Sequence, residues 1–111
     1  MAEQTAAVVV VDAPDRGRYE ASIDDVLVGV VEYRLDGDVI MFTHTGVPPE
    51  FEGHGIASLL ARYVLDDARG RGLDVLPRCP YVSGWIARHL DYLDLVPAAS
   101  RPQYKLPASA E

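Results

Sequence analysis

The segment Val47-Pro48-Pro49-Glu50-Phe51-Glu52-Gly53-His54-Gly55-Ile56-Ala57 separates two stretches of different periodicity. Before it, Val39 to Val47 alternates with period two, with Ile40, Phe42, His44 and Gly46 on one face and Met41, Thr43, Thr45 and Val47 on the other. After it, Ile56, Leu59, Leu60, Tyr63 and Val64 recur at the i, i+3, i+4, i+7, i+8 positions of an amphipathic helix. That helix is predicted from about Gly55 to Arg69, closed by Gly70-Arg71-Gly72, which supplies a C-terminal cation and a left-handed cap. Leu73 to Cys79 reads as a short strand interrupted by Pro77. A proline has no N–H for a central ladder, so this strand lies at an edge or splays from its neighbour. Strand, helix and strand form one β-α-β unit, and a right-handed crossover sets the two strands parallel. Their carboxyl ends then share a rim that holds the glycine loop and Cys79, where open α/β sheets bind ligands.

Working toward the N-terminus, the pattern is antiparallel. Ala6 to Val11 is a valine-rich strand that stops at Asp12-Ala13-Pro14-Asp15, and Arg18 to Ile23 alternates polar and apolar residues up to Asp24-Asp25. Val26 to Arg34 is β-branched and leads to Asp36-Gly37, a hairpin signal before the strand at Val39. Toward the C-terminus, Ser83 to about Leu93 is predicted as a second helix, with Trp85, Ile86, His89 and Leu90 on one side. The fold class is therefore α/β with a mixed sheet. Residues 1–5 are expected to be disordered, 6–96 to form one domain, and 97–111, punctuated by Pro97, Pro102 and Pro107, to be mostly irregular.

Composition narrows the classes of function. A chain of 111 residues, 49% hydrophobic and with net charge -7, is long enough for one core and outside the profile of a disordered protein. Its longest apolar run, Ala6 to Val11, cannot span a bilayer and no cationic stretch precedes it, so a cytoplasmic location without membrane contact is expected. The single cysteine, Cys79, excludes an intramolecular disulfide and a multi-cysteine metal site, and no metal is expected. Residues 1–52 hold 11 acids against 3 arginines, while residues 53–111 hold 6 acids against 7 cations. Such a balance argues against nucleic acid as a partner but permits a local anion site near Arg62, Arg69, Arg71, Arg78 and Arg88.

The loop itself suits a phosphate. Two glycines let backbone N–H groups close around an anion at the positive end of the following helix, and the missing Gly-Lys-Ser/Thr excludes a P-loop. Val47 to Ala57 resembles the acyl-CoA pyrophosphate loop of the GNAT acetyltransferases, whose pattern Arg/Gln-x-x-Gly-x-Gly/Ala falls here on Glu52, Gly55 and Ala57. The first position is acidic where the family has Arg or Gln. His44-Thr45-Gly46-Val47, then Gly72-Leu73-x-Val75-x-Pro77-x-Cys79-Pro80-Tyr81-Val82, then His89-x-x-Tyr92-x-Asp94-Leu95-Val96 together resemble a subgroup of very short, single-domain GNAT proteins. The resemblance covers about Tyr19 to Val96.

It implies a GNAT-like fold: antiparallel N-terminal strands, then a parallel β-α-β unit in a splayed sheet, with a second helix. Coenzyme A enters the gap, its pyrophosphate at residues 53 to 58. Val47, Gly53, His54, Gly55, Ile56, Ala57 and Ser58 are the implied cofactor-binding residues. The implied reaction is transfer of an acetyl group from acetyl-CoA to a primary amine, on a small molecule or an exposed protein group. His44 is the candidate general base, since imidazole suits that role, and Cys79 at the rim is placed as acid, acyl acceptor or packing residue. A non-catalytic acyl-CoA-binding or sensing module and a generic anion-binding domain are the alternative readings. Sequence leaves the acceptor and the oligomeric state open.

Overall fold

A computed structural model describes residues 7–110. Five strands lie in the order β1-β2-β3-β4-β5: β1 Val9–Ala13, β2 Arg18–Ile23, β3 Val26–Asp36, β4 Val39–Gly46 and β5 Asp74–Pro77. The first four are antiparallel neighbours, and β5 pairs in parallel with β4 after the crossover helix α1, Ile56–Gly70. The second helix, α2, spans Pro80–Arg88. The α/β class and mixed sheet read from the sequence are those of the structure. Residues 1–5, expected to be disordered, and Ala6 lie outside the described residues.

Helix α1 covers one sheet face because its apolar stripe supplies the missing side of the core. Leu60, Ala61, Val64, Leu65 and Ala68 are buried with Tyr19, Ala21, Val31, Ile40, Phe42 and Val75. At Gly29 a Cβ would stand 2.8 Å from Leu60 Cδ1 and 3.1 Å from Ile56 Cγ2. The absence of a side chain on β3 thus sets how near the N-terminal turn of α1 lies to the sheet. The other face is largely open: Val9 and Val11 are about half exposed, and Glu32, Arg34 and His44 face solvent.

Two departures from the expected pattern matter for the site. Register slips between Glu32 and Tyr33, which face His44 and Phe42 respectively, so Thr43 is an extra residue in β4, a β-bulge. The simple alternation of β4 ends there. Val31 pairs with Thr45, which brings Thr45 to the buried face of Phe42 and turns His44 and Gly46 to the open face. The second departure is the last helix, which starts at Pro80, with proline in its first turn where the missing N–H costs nothing, and breaks at His89 (φ −136°). Leu90–Leu95 continues as a 3-10 helix that buries Tyr92, Leu93 and Leu95. Beyond it, Pro97 to Ala110 carries two short 3-10 turns, yet Leu106 is buried and Tyr104 accepts a hydrogen bond from Ser83 at 2.6 Å.

Candidate active site

Ladder pairing between β4 and β5 runs only from Val39/Asp74 to Phe42/Pro77. Beyond it the Cys79 N–H donates to the Phe42 carbonyl at 2.8 Å, and then the chain turns away into α2. The second half of β4, Thr43 to Gly46, has no strand on that side. Pro77 sits at the last paired position, so the donor it lacks would have pointed to a ladder that is already ending.

At the mouth of this gap stands the N-terminus of α1. Gly53 (φ 84°) and Gly55 (φ 76°) occupy the left-handed region, which only glycine enters without strain. The first helical bond runs from the Leu59 N–H to the Gly55 carbonyl at 3.0 Å, which leaves the N–H groups of Ile56, Ala57 and Ser58 without intrahelical partners. No side chain caps them and the first turn contains no acid. These donors and the dipole behind them suit an anion, and no side chain caps them. A cavity of about 220 Å³ opens in front of them, lined by Val47, Gly53, Gly55, Ile56, Ala57 and Ser58. Six of the seven expected cofactor residues therefore come together. His54 is exposed and does not line the cavity. Phe51, Glu52 and Tyr81 complete the wall. Tyr81 follows Pro80, whose N1 signal would have placed it in the first turn of α2. Ser58 has a second task, accepting the Trp85 indole N–H at 3.0 Å, which ties α2 to this end of α1.

Cys79 and His44 are placed differently. Cys79 is buried, 3% exposed, and its sulfur lies 3.3 Å from the Thr45 hydroxyl on the gap side of β4. Thr45 was not singled out from the sequence because unbroken alternation separates it from Phe42; only the bulge joins them. His44 is exposed on the opposite face, across from Glu32. The two candidate catalytic groups thus flank the unpaired half of β4 from its two sides.

Tyrosine–carboxylate contacts hold the frame around the site. Tyr92 donates to Asp66 at 2.7 Å, and Arg69 forks onto Asp94 at 2.8 and 3.0 Å, fixing the Leu90–Leu95 segment on α1. Burial and the bond to Asp66 raise the Tyr92 pKa, and the bond from Arg69 lowers that of Asp94. At the far end of α1, Tyr19 bonds Asp67 at 2.5 Å and Tyr33 bonds Asp12 at 2.6 Å, with Arg71 between the carboxylates. Burial and then the bond to Asp12 push the Tyr33 phenol up to about 12, and burial and Asp67 raise Tyr19 further.

Comparison with known proteins agrees with this architecture. A GNAT-like protein of Staphylococcus aureus, described as GCN5-like and solved by NMR, superposes with a TM-score of 0.63 at 22% identity, covering 80% of this chain and 87% of that one. The ribosomal-protein-S18-alanine N-acetyltransferase of Escherichia coli superposes with a TM-score of 0.50 at 14% identity, covering 52% of this chain. The match spans only 38% of the length of that enzyme. These likenesses concern the fold. Among curated proteins none matches the sequence. A family model described as GCN5-related N-acetyl-transferase matches residues 18–95, from the start of β2 to the end of the 3-10 segment after α2. With the splayed sheet, the glycine loop and that match together, the chain belongs to the GCN5-related N-acetyltransferase family.

Proposed function

We propose that the protein transfers an acetyl group from acetyl-CoA to a primary amine, directly, in the gap beside Thr43 to Gly46. The observation that carries this reading is the set of three partnerless N–H groups of Ile56, Ala57 and Ser58, aimed into a cavity at the mouth of that gap. A pyrophosphate there accepts their hydrogen bonds, and the pantetheine arm reaches along the free edge of β4, whose unpaired backbone groups receive it. The thioester then lies near Thr45 and Cys79.

Attack by the amine nitrogen forms a C–N bond and a tetrahedral oxyanion, held by a backbone N–H near Val47; collapse breaks the C–S bond and releases the CoA thiolate. His44, on the solvent face, takes the proton lost by the amine. Cys79 gives its thiol proton to the leaving sulfur and regains one from solvent after product release. Direct transfer needs no acyl-enzyme, which favours a proton donor over a nucleophile at Cys79. Isothermal titration with CoA and acetyl-CoA, followed by thiol release over a panel of amines, tests the reading. Binding with turnover is expected. Binding without turnover of any amine would make the protein an acyl-CoA-binding or sensing module, and no binding would leave a generic anion-binding domain.

A further inference from the structure

The five arginines that mark the C-terminal half as a candidate anion region divide in the structure. Arg62 lies over the Trp85 ring and reaches the Tyr92 hydroxyl at 3.4 Å; Arg69 is held by Asp94; Arg71 lies between Asp12 and Asp67. Among the described residues, Arg78, Arg88 and Lys105 are paired with no carboxylate. Arg78 and Lys105 line one cleft, and Arg88 reaches the glycine on its floor. It measures about 300 Å³ and is lined by Arg78, Pro80, Ser83, Gly84, Tyr104 and Lys105. Arg88 Nη1 stands 3.5 Å from the point a Cβ on Gly84 would occupy.

The cleft is built rather than incidental. The Ser83 hydroxyl fixes the Tyr104 carbonyl at 2.6 Å, and buried Leu106 anchors the segment just beyond, so the C-terminal chain forms a wall that carries Lys105. Gly84 sits inside α2 without a positive φ, and a glycine there weakens a helix relative to alanine. Its bare Cα instead leaves the floor of the cleft clear beneath Arg88. In a protein of net charge -7, two lining cations with Arg88 beside them favour an anion at this concavity. Pro77, the last residue paired with β4, lines this cleft together with Arg78 and Pro80, so it lies at the end of the β4–β5 ladder, and Tyr81, the next residue of α2, belongs to the cavity in front of α1.

We infer that the cleft holds the acidic group of the acceptor, and that the acceptor is a small amine that also carries a carboxylate or a phosphate. This rests on the acetyl-transfer reading above. Acetylation removes the amine's charge and leaves the acid, so the product retains the group that the cleft recognises.

Two measurements test it. In the first, the ¹⁵N-labelled chain is titrated with N-acetyl-β-alanine without any CoA thioester. Saturable shifts are expected at the Arg78, Gly84 and Lys105 amides, and affinity is expected to fall about tenfold in an Arg78→Gln/Lys105→Gln variant. Gly84→Leu, which keeps every charge and fills the floor, is expected to weaken binding as well. In the second, kcat/KM is compared for β-alanine, 2-aminoethyl phosphate and propylamine; the two acids separate a carboxylate from a phosphate preference. The preference for the acidic amines over propylamine is expected to drop about tenfold in the double variant. A preference unchanged within about twofold, or an acetyl-CoA KM that rises in its place, overturns the inference, the latter because the cations would then serve the CoA phosphate. Failure of every amine to turn over, with acetyl-CoA bound, overturns the transfer reading instead and is recognised by anion shifts that persist in the first measurement.

Discussion

Gly55 holds a left-handed backbone at the last residue before α1, with open space where a side chain would go. Gly55→Val is therefore strained by its φ rather than by a clash, at a cost of about 1–2 kcal/mol or somewhat more for a β-branched residue. The expected outcome is a folded protein with a lowered Tm and CoA affinity reduced more than about tenfold, read by calorimetry, because the turn that aims the Ile56 to Ser58 amides is lost. Glu52 acts in the opposite direction. Glu52 lines the cavity in which we propose that a diphosphate binds, so Glu52→Gln is expected to tighten CoA by about two- to fivefold, the range of an exposed charge effect. Weaker binding by that variant would show that the carboxylate supports the loop instead of opposing the ligand. For Cys79, Cys79→Ala is expected to lower turnover by about 10²-fold with acetyl-CoA affinity nearly unchanged, and mass spectrometry after acetyl-CoA alone is expected to show no adduct. Near-normal turnover in Cys79→Ala would reduce the thiol to a packing role.

Among the elements, α1 was the most legible, because five apolar residues at helical spacing and the Gly70-Arg71-Gly72 stop leave little choice of period; the helix runs from Ile56 to Gly70. Pro77 announced where the β4–β5 ladder ends for an equally direct reason. The bulge at Thr43 was not legible: one inserted residue changes no residue type, and its only trace is a phase shift that needs the partner strand to be seen. That hidden residue decides the site, since it sends His44 outward and Thr45 to Cys79. The start of α2 at Pro80 could have been read from proline's preference for the first helical turn, whereas the break at His89 follows from the docking of Tyr92 on Asp66, which is tertiary. The meeting of α1 with the sheet yields its own test. Gly29→Ala places a methyl 2.8 Å from Leu60 Cδ1 and 3.1 Å from Ile56 Cγ2, so these side chains must shift, and α1 is expected to lift at its N-terminal end. A loss of about 1–3 kcal/mol in denaturant unfolding, with weaker CoA binding, is expected. Full stability in that variant would mean that Leu60 swings aside and the helix position is not set by this glycine.

Across the whole molecule, the phenols of Tyr19 and Tyr33 clamp β1, β2 and β3 to the end of α1 far from the glycine loop. Both pKa values are raised on folding, so the native state holds these protons more tightly than the unfolded chain. Stability is then fully present below the ordinary tyrosine value of 10.0 and falls as pH rises toward about 12, where Tyr33 ionises. A Tm that declines over that window, with less decline in Tyr33→Phe, is the expected result; ionisation of all tyrosines near their ordinary value by ultraviolet absorbance would contradict it. Acid has the converse effect through Asp94: its lowered pKa adds stability that is present above the unfolded carboxylate value and lost as pH falls through the folded one. The most direct measurement of the account is a titration of the ¹⁵N-labelled protein with acetyl-CoA, followed by amide resonances. The largest shifts are expected at Ile56, Ala57 and Ser58 and along Thr43 to Gly46; shifts confined to the Arg78, Gly84 and Lys105 cleft, or none at saturating ligand, would contradict the placement of the cofactor in the gap.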